Sequence, residues 1–403
     1  MVALSGRWSV WPRLDSAGST VRIHAEPAFH VQAYEDLTTV EPLWRRLEAS
    51  GAASPYQRYD WVKSFGDTLG RIDGARTVAV VVSDRDGRPA VLFPLTVYRR
   101  GGLRIAQIAG GKHANFHLPL VASHLIPPLN EPALVAQLRG VARAVGGVDA
   151  FSFINQPRSW EGEPSALMAL DNQPSPSNAY RLTLGPCSET VLRRVLSGET
   201  RKKLRRKERR LLELGPVAYR RATTPVEIGA ILDAFFAQKA DRFKQMGLSN
   251  PFAAEAAETF IRTACRSGLE AGRPAIELHA LFLGERPIAT FGGATDGRRL
   301  SGMFTSFDAD PRIVRSSPGE LLIQRTIENL CERGFATFDL GVGEARYKTM
   351  FCDGVEELVD AHVAMTPAGH LYVAAAATGR RLKGWIKQTP WASRLARRVT
   401  AAC

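Results

Sequence analysis

The chain has 403 residues, 45% of them apolar and 23% charged, which fits two or three globular domains and excludes a disordered or fibrous protein. No stretch of about 18 apolar residues occurs, so a membrane-spanning helix is excluded as well. The net charge of +13 is concentrated: Arg193–Arg210 carries +8, His370–Cys403 carries +7, and the remainder sums to −2.

Residues 1–28 lack the continuous apolar core of a signal peptide and read as a mobile leader. A strand at Phe29–Val31 and a helix at Thr39–Ala49 follow, the helix marked by Leu43, Trp44 and Leu47. Ser54-Pro55 opens a second helix carrying Tyr59, Trp61, Val62 and Phe65. Thr77–Ser83 and Ala90–Tyr98 form a hairpin around Asp86-Gly87, and Leu103–Ala109 is the next strand. The helix Glu131–Val145 leads into the strand Val148–Ile154. Asn155–Asn178, rich in proline and serine, reads as a loop ahead of the short strand Tyr180–Leu184.

The pattern then recurs. A long helix over Glu189–Leu214 joins the halves, and helices at Val226–Met246 and Ala253–Ala271 follow. Strands at Glu277–Leu283, Pro287–Thr295 and Arg299–Phe307 precede a helix opened by Ser316-Ser317-Pro318-Gly319-Glu320. A strand at Ala336–Leu340 then meets a glycine-spaced loop, and a strand at Glu357–Met365 closes the folded part. Arg88-Pro89-Ala90-Val91-Leu92-Phe93 matches Arg286-Pro287-Ile288-Ala289-Thr290-Phe291, and Gly147–Phe151 matches Gly334–Phe338. The order of elements agrees as well as the motifs, so a whole domain is read as duplicated.

The loop after Ala336–Leu340 holds the densest group of ionisable side chains beside a buried strand: Asp339, Glu344, Arg346, Tyr347 and Lys348. Asp339 and Glu344 are candidate bases, Tyr347 a candidate acid, and Lys348 a group that binds an anion or orients either carboxylate. The bland reading is that Asp339 hydrogen-bonds loop backbone and that the cations are solvated. The Ser-Pro-Gly helix start exposes free N–H groups at Gly319, Glu320 and Leu321, with Arg312 and Arg315 just before it. It is either a phosphate site or a plain helix cap. Ser301 and Thr305 on the preceding strand, and His113 and Asn115 in the first half, are candidate substrate contacts. His113 and His117 have no third ligand nearby, so no metal site is expected. Five scattered cysteines without C-x-x-C spacing point to a reducing cytoplasm.

Taken in order, F-D-L-G-V-G-E-A-R-Y-K after the last strand, Pro55–Trp61, Phe93-Pro94-Leu95 and the basic helix resemble the GNAT-type acetyltransferases of the CelD/BcsL group. These are related to the Fem-type aminoacyltransferases with tandem GNAT domains. The resemblance covers residues 29–365. It implies an α/β fold of two tandem GNAT-like domains, with mixed, centrally splayed sheets, joined by a basic helix. The expected bounds are 29–185 for a degenerate first domain, 186–215 for the basic linker helix, 216–365 for the acyltransferase domain and 366–403 for a basic amphipathic tail. The donor it implies is acetyl-CoA or another acyl-CoA, with pyrophosphate at Arg312, Arg315, Ser316, Ser317, Gly319, Glu320 and Leu321. This stretch lacks the second glycine of the usual GNAT phosphate loop. The acceptor it implies is an amino or hydroxyl group of a sugar, polysaccharide precursor or related metabolite, with a role in cellulose or exopolysaccharide synthesis. Alternatives are a Fem-like aminoacyl-tRNA-dependent transferase and a non-catalytic scaffold. No aromatic or amide side chains interleave the Arg201–Arg210 cations, so nucleic acid is expected as partner only under the Fem-like alternative. Residues 379–399 set Leu382, Trp385, Ile386, Trp391, Leu395 and Val399 among Arg and Lys. That pattern suits peripheral contact with a membrane or packing onto the first half.

Overall fold

The computed structural model describes residues 29–50, 53–122 and 131–389. The expected leader, and Trp391, Leu395 and Val399 of the tail, lie outside them. The first half runs β1 (His30–Tyr34), α1 (Glu41–Ser50), α2 (Tyr59–Asp67), β2 (Arg76–Ser83), β3 (Pro89–Arg100), β4 (Leu103–Ile108), β5 (Leu120–Val121), α3 (Glu131–Ala144) and β6 (Ala150–Pro157). The stretch expected as loop holds three short strands, β7 (Ser159–Trp160), β8 (Glu163–Pro164) and β9 (Asn172–Pro174), before β10 (Ala179–Thr183). Its proline content keeps these strands short and at sheet edges.

The expected single basic helix is two helices, α4 (Ser188–Val195) and α5 (Gly198–Leu212). The break has a local cause: the Ser197 hydroxyl accepts from the Thr200 N–H and caps a new helix. Then come β11 (Val217–Arg221), α6 (Pro225–Gln245), α7 (Glu255–Arg266), β12 (Ile276–Leu283), β13 (Arg286–Thr295), β14 (Arg299–Phe307), α8 (Pro311–Val314), α9 (Pro318–Glu332) and β15 (Thr337–Val342). The loop expected after β15 contains a short helix, α10 (Arg346–Phe351). β16 (Gly354–Glu356) and β17 (Leu358–Ala364) lead to α11 (Pro367–Gln388), where Thr366 accepts from the Gly369 N–H and Pro367 takes the first turn.

Two sheets of the same plan result. One has the order β1-β2-β3-β4-β6-β17-β9, the other β11-β12-β13-β14-β15-β10-β16. The matching Arg-Pro motifs fall on equivalent strands, and each places a register shift at its proline. Ser83 stands opposite Pro89 and Phe282 opposite Pro287, and in both ladders one residue is skipped beyond the proline. Proline has no N–H to give to a ladder, so the irregularity is written into the repeated motif.

The halves exchange strands. β10, which ends the first half in sequence, pairs antiparallel with β15 of the second sheet. β17, expected to close the second half, pairs antiparallel with β6 of the first. The largest apolar cluster also crosses between halves: Trp44, Tyr56, Trp61 and Phe116 pack with Phe235, Phe260, Ile261 and Leu278. Trp61 lies edge-on to Phe260 at 5.1 Å between ring centres. Burial of several large side chains, each contributing about 1.5–3 kcal/mol, fixes the two sheets against one another.

Candidate functional site

β14 and β15 run parallel and are paired only at Arg299–Thr337, Leu300–Phe338 and Ser301–Asp339, beyond which they part. The first half repeats the feature, with β4 and β6 paired over two residues only. At the parting point the backbones nearly touch. A Cβ on Gly302 would lie 3.2 Å from the Asp339 carbonyl oxygen, and one on Gly341 (φ +81°) would lie 2.8 Å from the Gly302 carbonyl oxygen. Glycine is required at Gly341, where the positive φ and the close carbonyl both exclude a side chain.

Parting leaves backbone groups without ladder partners, and buried ones must be satisfied elsewhere. Asn115, from the first half, does this across the gap. Its Nδ2 donates to the Gly302 carbonyl at 2.8 Å, and its Oδ1 accepts from the Val342 N–H at 3.2 Å. Lys348 folds back from α10 and its Nζ donates to the carbonyls of Gly341 and Val342, at 3.0 and 2.9 Å. The expected contact of Lys348 with a carboxylate is thus replaced by main-chain carbonyls, which the separated strand leaves free. Burial pushes the Lys348 ammonium down to about 8.

Behind the wedge lies a closed polar group. Asn115 Nδ2 also donates to the Tyr56 hydroxyl at 2.6 Å, and that hydroxyl donates to Ser301 Oγ at 3.0 Å. Asp339 is fully buried and pairs with Arg299 at 3.1 Å, and the Arg299 guanidinium lies 4.1 Å from the centre of the Trp160 ring. Desolvation raises the Asp339 carboxyl to about 6, with Arg299 acting against the rise. Desolvation also raises the buried Tyr56 phenol.

The start of α9 faces the basic helix. Arg210 of α5 donates to the Arg315 carbonyl at 3.4 Å, and Lys207 pairs with Glu320 at 2.6 Å. Leu204 and Leu211 anchor α5, while Lys202, Lys203, Arg205, Arg206, Arg209 and Arg210 are exposed. Ser317 stands in the left-handed region (φ 48°) and gives no side-chain cap. The Ser316 hydroxyl is fully buried and has no hydrogen-bond partner among the described residues. Of the amides expected to be free, those of Glu320 and Leu321 turn back on the Ser317 carbonyl, the normal closure of a first turn. Leu321 is buried in a second core, formed with Leu204, Leu211, Ile288 and Phe338, and Arg312 is exposed and bound to Asp310 of its own turn. Arg315 is exposed beside the helix start.

The structure therefore splits the expected catalytic group. Asp339 turns inward with Ser301 and Asn115. Glu344 is exposed after the turn at Gly343, and Tyr347 is half-buried against the second core, where burial raises its phenol. Thr305 donates to the Thr290 carbonyl at 2.8 Å, and the His113 ring packs on Phe260, its imidazole lowered to about 4 by burial. Sequence reasoning missed the roles of Tyr56, Arg299 and Trp160, and placed Lys207 and Arg210 only within the basic run Arg201–Arg210. Tyr56 stood within the Pro55–Trp61 motif, which was the available signal. The partners of Arg299 lie 40 residues downstream on β15 and in the supposed loop.

Asn115→Ala removes the partner of one buried N–H and one carbonyl. A loss of about 2 kcal/mol of unfolding free energy in urea titration is expected. A loss below about 0.5 kcal/mol would show that this amide does not hold the strands apart.

Comparison with known proteins agrees with this geometry. Residues 198–349 match the acetyltransferase (GNAT) domain family. No curated protein matches the chain. Among solved structures, FemX aligns at a TM-score of 0.57 and 10% identity, over 84% of this chain and 99% of that one. The C-terminal domain (DUF2156) of a putative lysylphosphatidylglycerol synthetase from Agrobacterium fabrum aligns at 0.51 and 14% identity, over 84% and 96%. A conserved protein of unknown function from Bacteroides thetaiotaomicron aligns at 0.51 and 11%, over 83% and 100%. The fold is GNAT-like in both halves, and the match to the GNAT domain family falls in the second.

Proposed function

We propose that the chain transfers an acyl group from acyl-CoA to an amino or hydroxyl group, with the donor lying between β14 and β15 and its pyrophosphate at the start of α9. The observation that carries this is the parting of β14 from β15 next to a helix start bordered by exposed cations. A buried, unpartnered Ser316 hydroxyl at that helix start fits a phosphate-binding role, since such groups otherwise find partners. The bound donor supplies an activated thioester carbonyl. Exposed Glu344 takes the proton of the acceptor, and Tyr347, kept protonated by burial, returns one to the leaving sulfur. Asp339 and Arg299 act behind the site, holding the parting point in place. The ordered motifs shared with the CelD/BcsL group favour a sugar or polysaccharide-precursor acceptor in a cytoplasmic, exopolysaccharide-building setting.

Isothermal titration tests the donor. Acetyl-CoA and CoA are each expected to give saturable heat, and absence of heat with both removes the proposal. A second reading, aminoacyl-tRNA as donor, is favoured by the exposed cations of α5. Under it, tRNA would co-purify and be released by salt.

A further inference from the structure

The inner side of α11 is clamped to the first sheet. Arg380 pairs with buried Asp360 and donates to Asn155 Oδ1 at 3.0 Å, Arg381 donates to Gln173 Oε1 at 2.6 Å, and Lys387 to Ser177 Oγ at 2.7 Å. At its start the helix abuts the chain so closely that a Cβ on Gly369 would lie 1.9 Å from the Asp149 carbonyl oxygen. The helix is therefore held in one orientation.

Its outer side is apolar. Leu371, Leu382 and Trp385 stand at i, i+11 and i+14 and so share one face, exposed to 76%, 54% and 50%. Ala374, Ala375 and Thr378, also exposed, fill the interval. The stripe is about 21 Å long at the α-helical rise. Exposed Lys383 flanks it, and from His370 to Cys403 there are seven Lys or Arg and no acidic residue.

We propose that this face of α11 docks on an anionic lipid surface, lying in the plane of the headgroups. Leucines along one line gain by entering the acyl boundary, and neighbouring cations meet anionic headgroups. The charge argues against a second copy of this chain as the occupant, since a twofold contact would bring two segments of +7 together. A nucleic acid would leave the leucines without a partner. No described helix is long and apolar enough to cross a membrane, so the contact is at the surface. The inference stands on the exposed face and its charge, independently of the donor reading.

Co-sedimentation of the full chain with vesicles tests it. The protein is expected to pellet with phosphatidylglycerol–phosphatidylcholine vesicles, to stay in solution with pure phosphatidylcholine, and to be released by salt. Leu371→Glu combined with Leu382→Glu is expected to reduce the bound fraction roughly tenfold or more while leaving the melting temperature unchanged, because both side chains are exposed. Failure to pellet with anionic vesicles, or equal pelleting of the double variant, overturns the proposal. So does a dimer by light scattering that the double variant converts to monomer.

Discussion

Arg299→Met is expected to destabilise the protein far more at pH 8 than at pH 5. In the native chain Asp339 is fully buried and its carboxyl titrates near 6, above its ordinary range, because desolvation outweighs the attraction of Arg299. A raised carboxyl means that the folded state holds a proton that the unfolded state has released. Stability is thus greatest below about pH 4 as far as this group is concerned, and declines as pH rises to about 6. The cost of ionising Asp339 in place is about 3 kcal/mol. Removing Arg299 withdraws the charge that opposes the rise and lifts the carboxyl further, so the decline continues to higher pH. Methionine retains a stem over Trp160, which limits the packing loss to about 1 kcal/mol. Urea titration at the two pH values is expected to show that loss at pH 5 and about 3 kcal/mol at pH 8. Equal losses would show that Arg299 serves packing alone.

How far the fold was legible can be argued from such residues. Local signals were reliable where the cause was local: Asp-Gly turns, the Ser-Pro helix starts, and the Arg-Pro motifs, which prove to bring a register shift with them. The duplicated order of elements was legible for the same reason, since each half repeats the local grammar. The exchange of β10 and β17 was illegible because a strand's sequence states that it is apolar on one side, and it does not say which sheet edge receives it. The split of the basic helix was missed because an apolar repeat can be drawn through Leu196–Ser197. The hydroxyl of Ser197 overrides the pattern.

The site shows the same division. That Asp339 sits on a buried strand followed those local rules, yet its partner could not be found along the chain, because Arg299 reaches it through a parallel pairing. Asn115 was singled out as a substrate contact, and its four partners, Tyr56, Ser301, Gly302 and Val342, come from both halves. The sequence placed Lys348 among carboxylates by proximity. In the fold it satisfies two carbonyls released when β15 leaves β14, a need that only the geometry of the gap creates.

That division assigns separate roles to the two carboxylates, and Glu344→Gln separates them. Asp339 is fully buried and paired with Arg299, so it offers no exposed oxygen to an acceptor. Glu344 is exposed one residue after the turn at Gly343, on the same short segment as Tyr347. A general base contributes about 10²–10⁴-fold, so Glu344→Gln is expected to lower turnover about a hundredfold or more with the affinity for CoA unchanged. Tyr347→Phe is expected to lower turnover by about tenfold, because it removes the proposed proton donor and leaves the ring packed. Asp339→Asn, by contrast, keeps the shape of the buried group and is expected to alter the pH dependence of stability while retaining most of the turnover. Steady-state rates and CoA titrations on the three variants decide the matter. A severe loss of turnover in Asp339→Asn together with near-normal turnover in Glu344→Gln would move the base inward and require the wedge at Asn115 to open during each cycle.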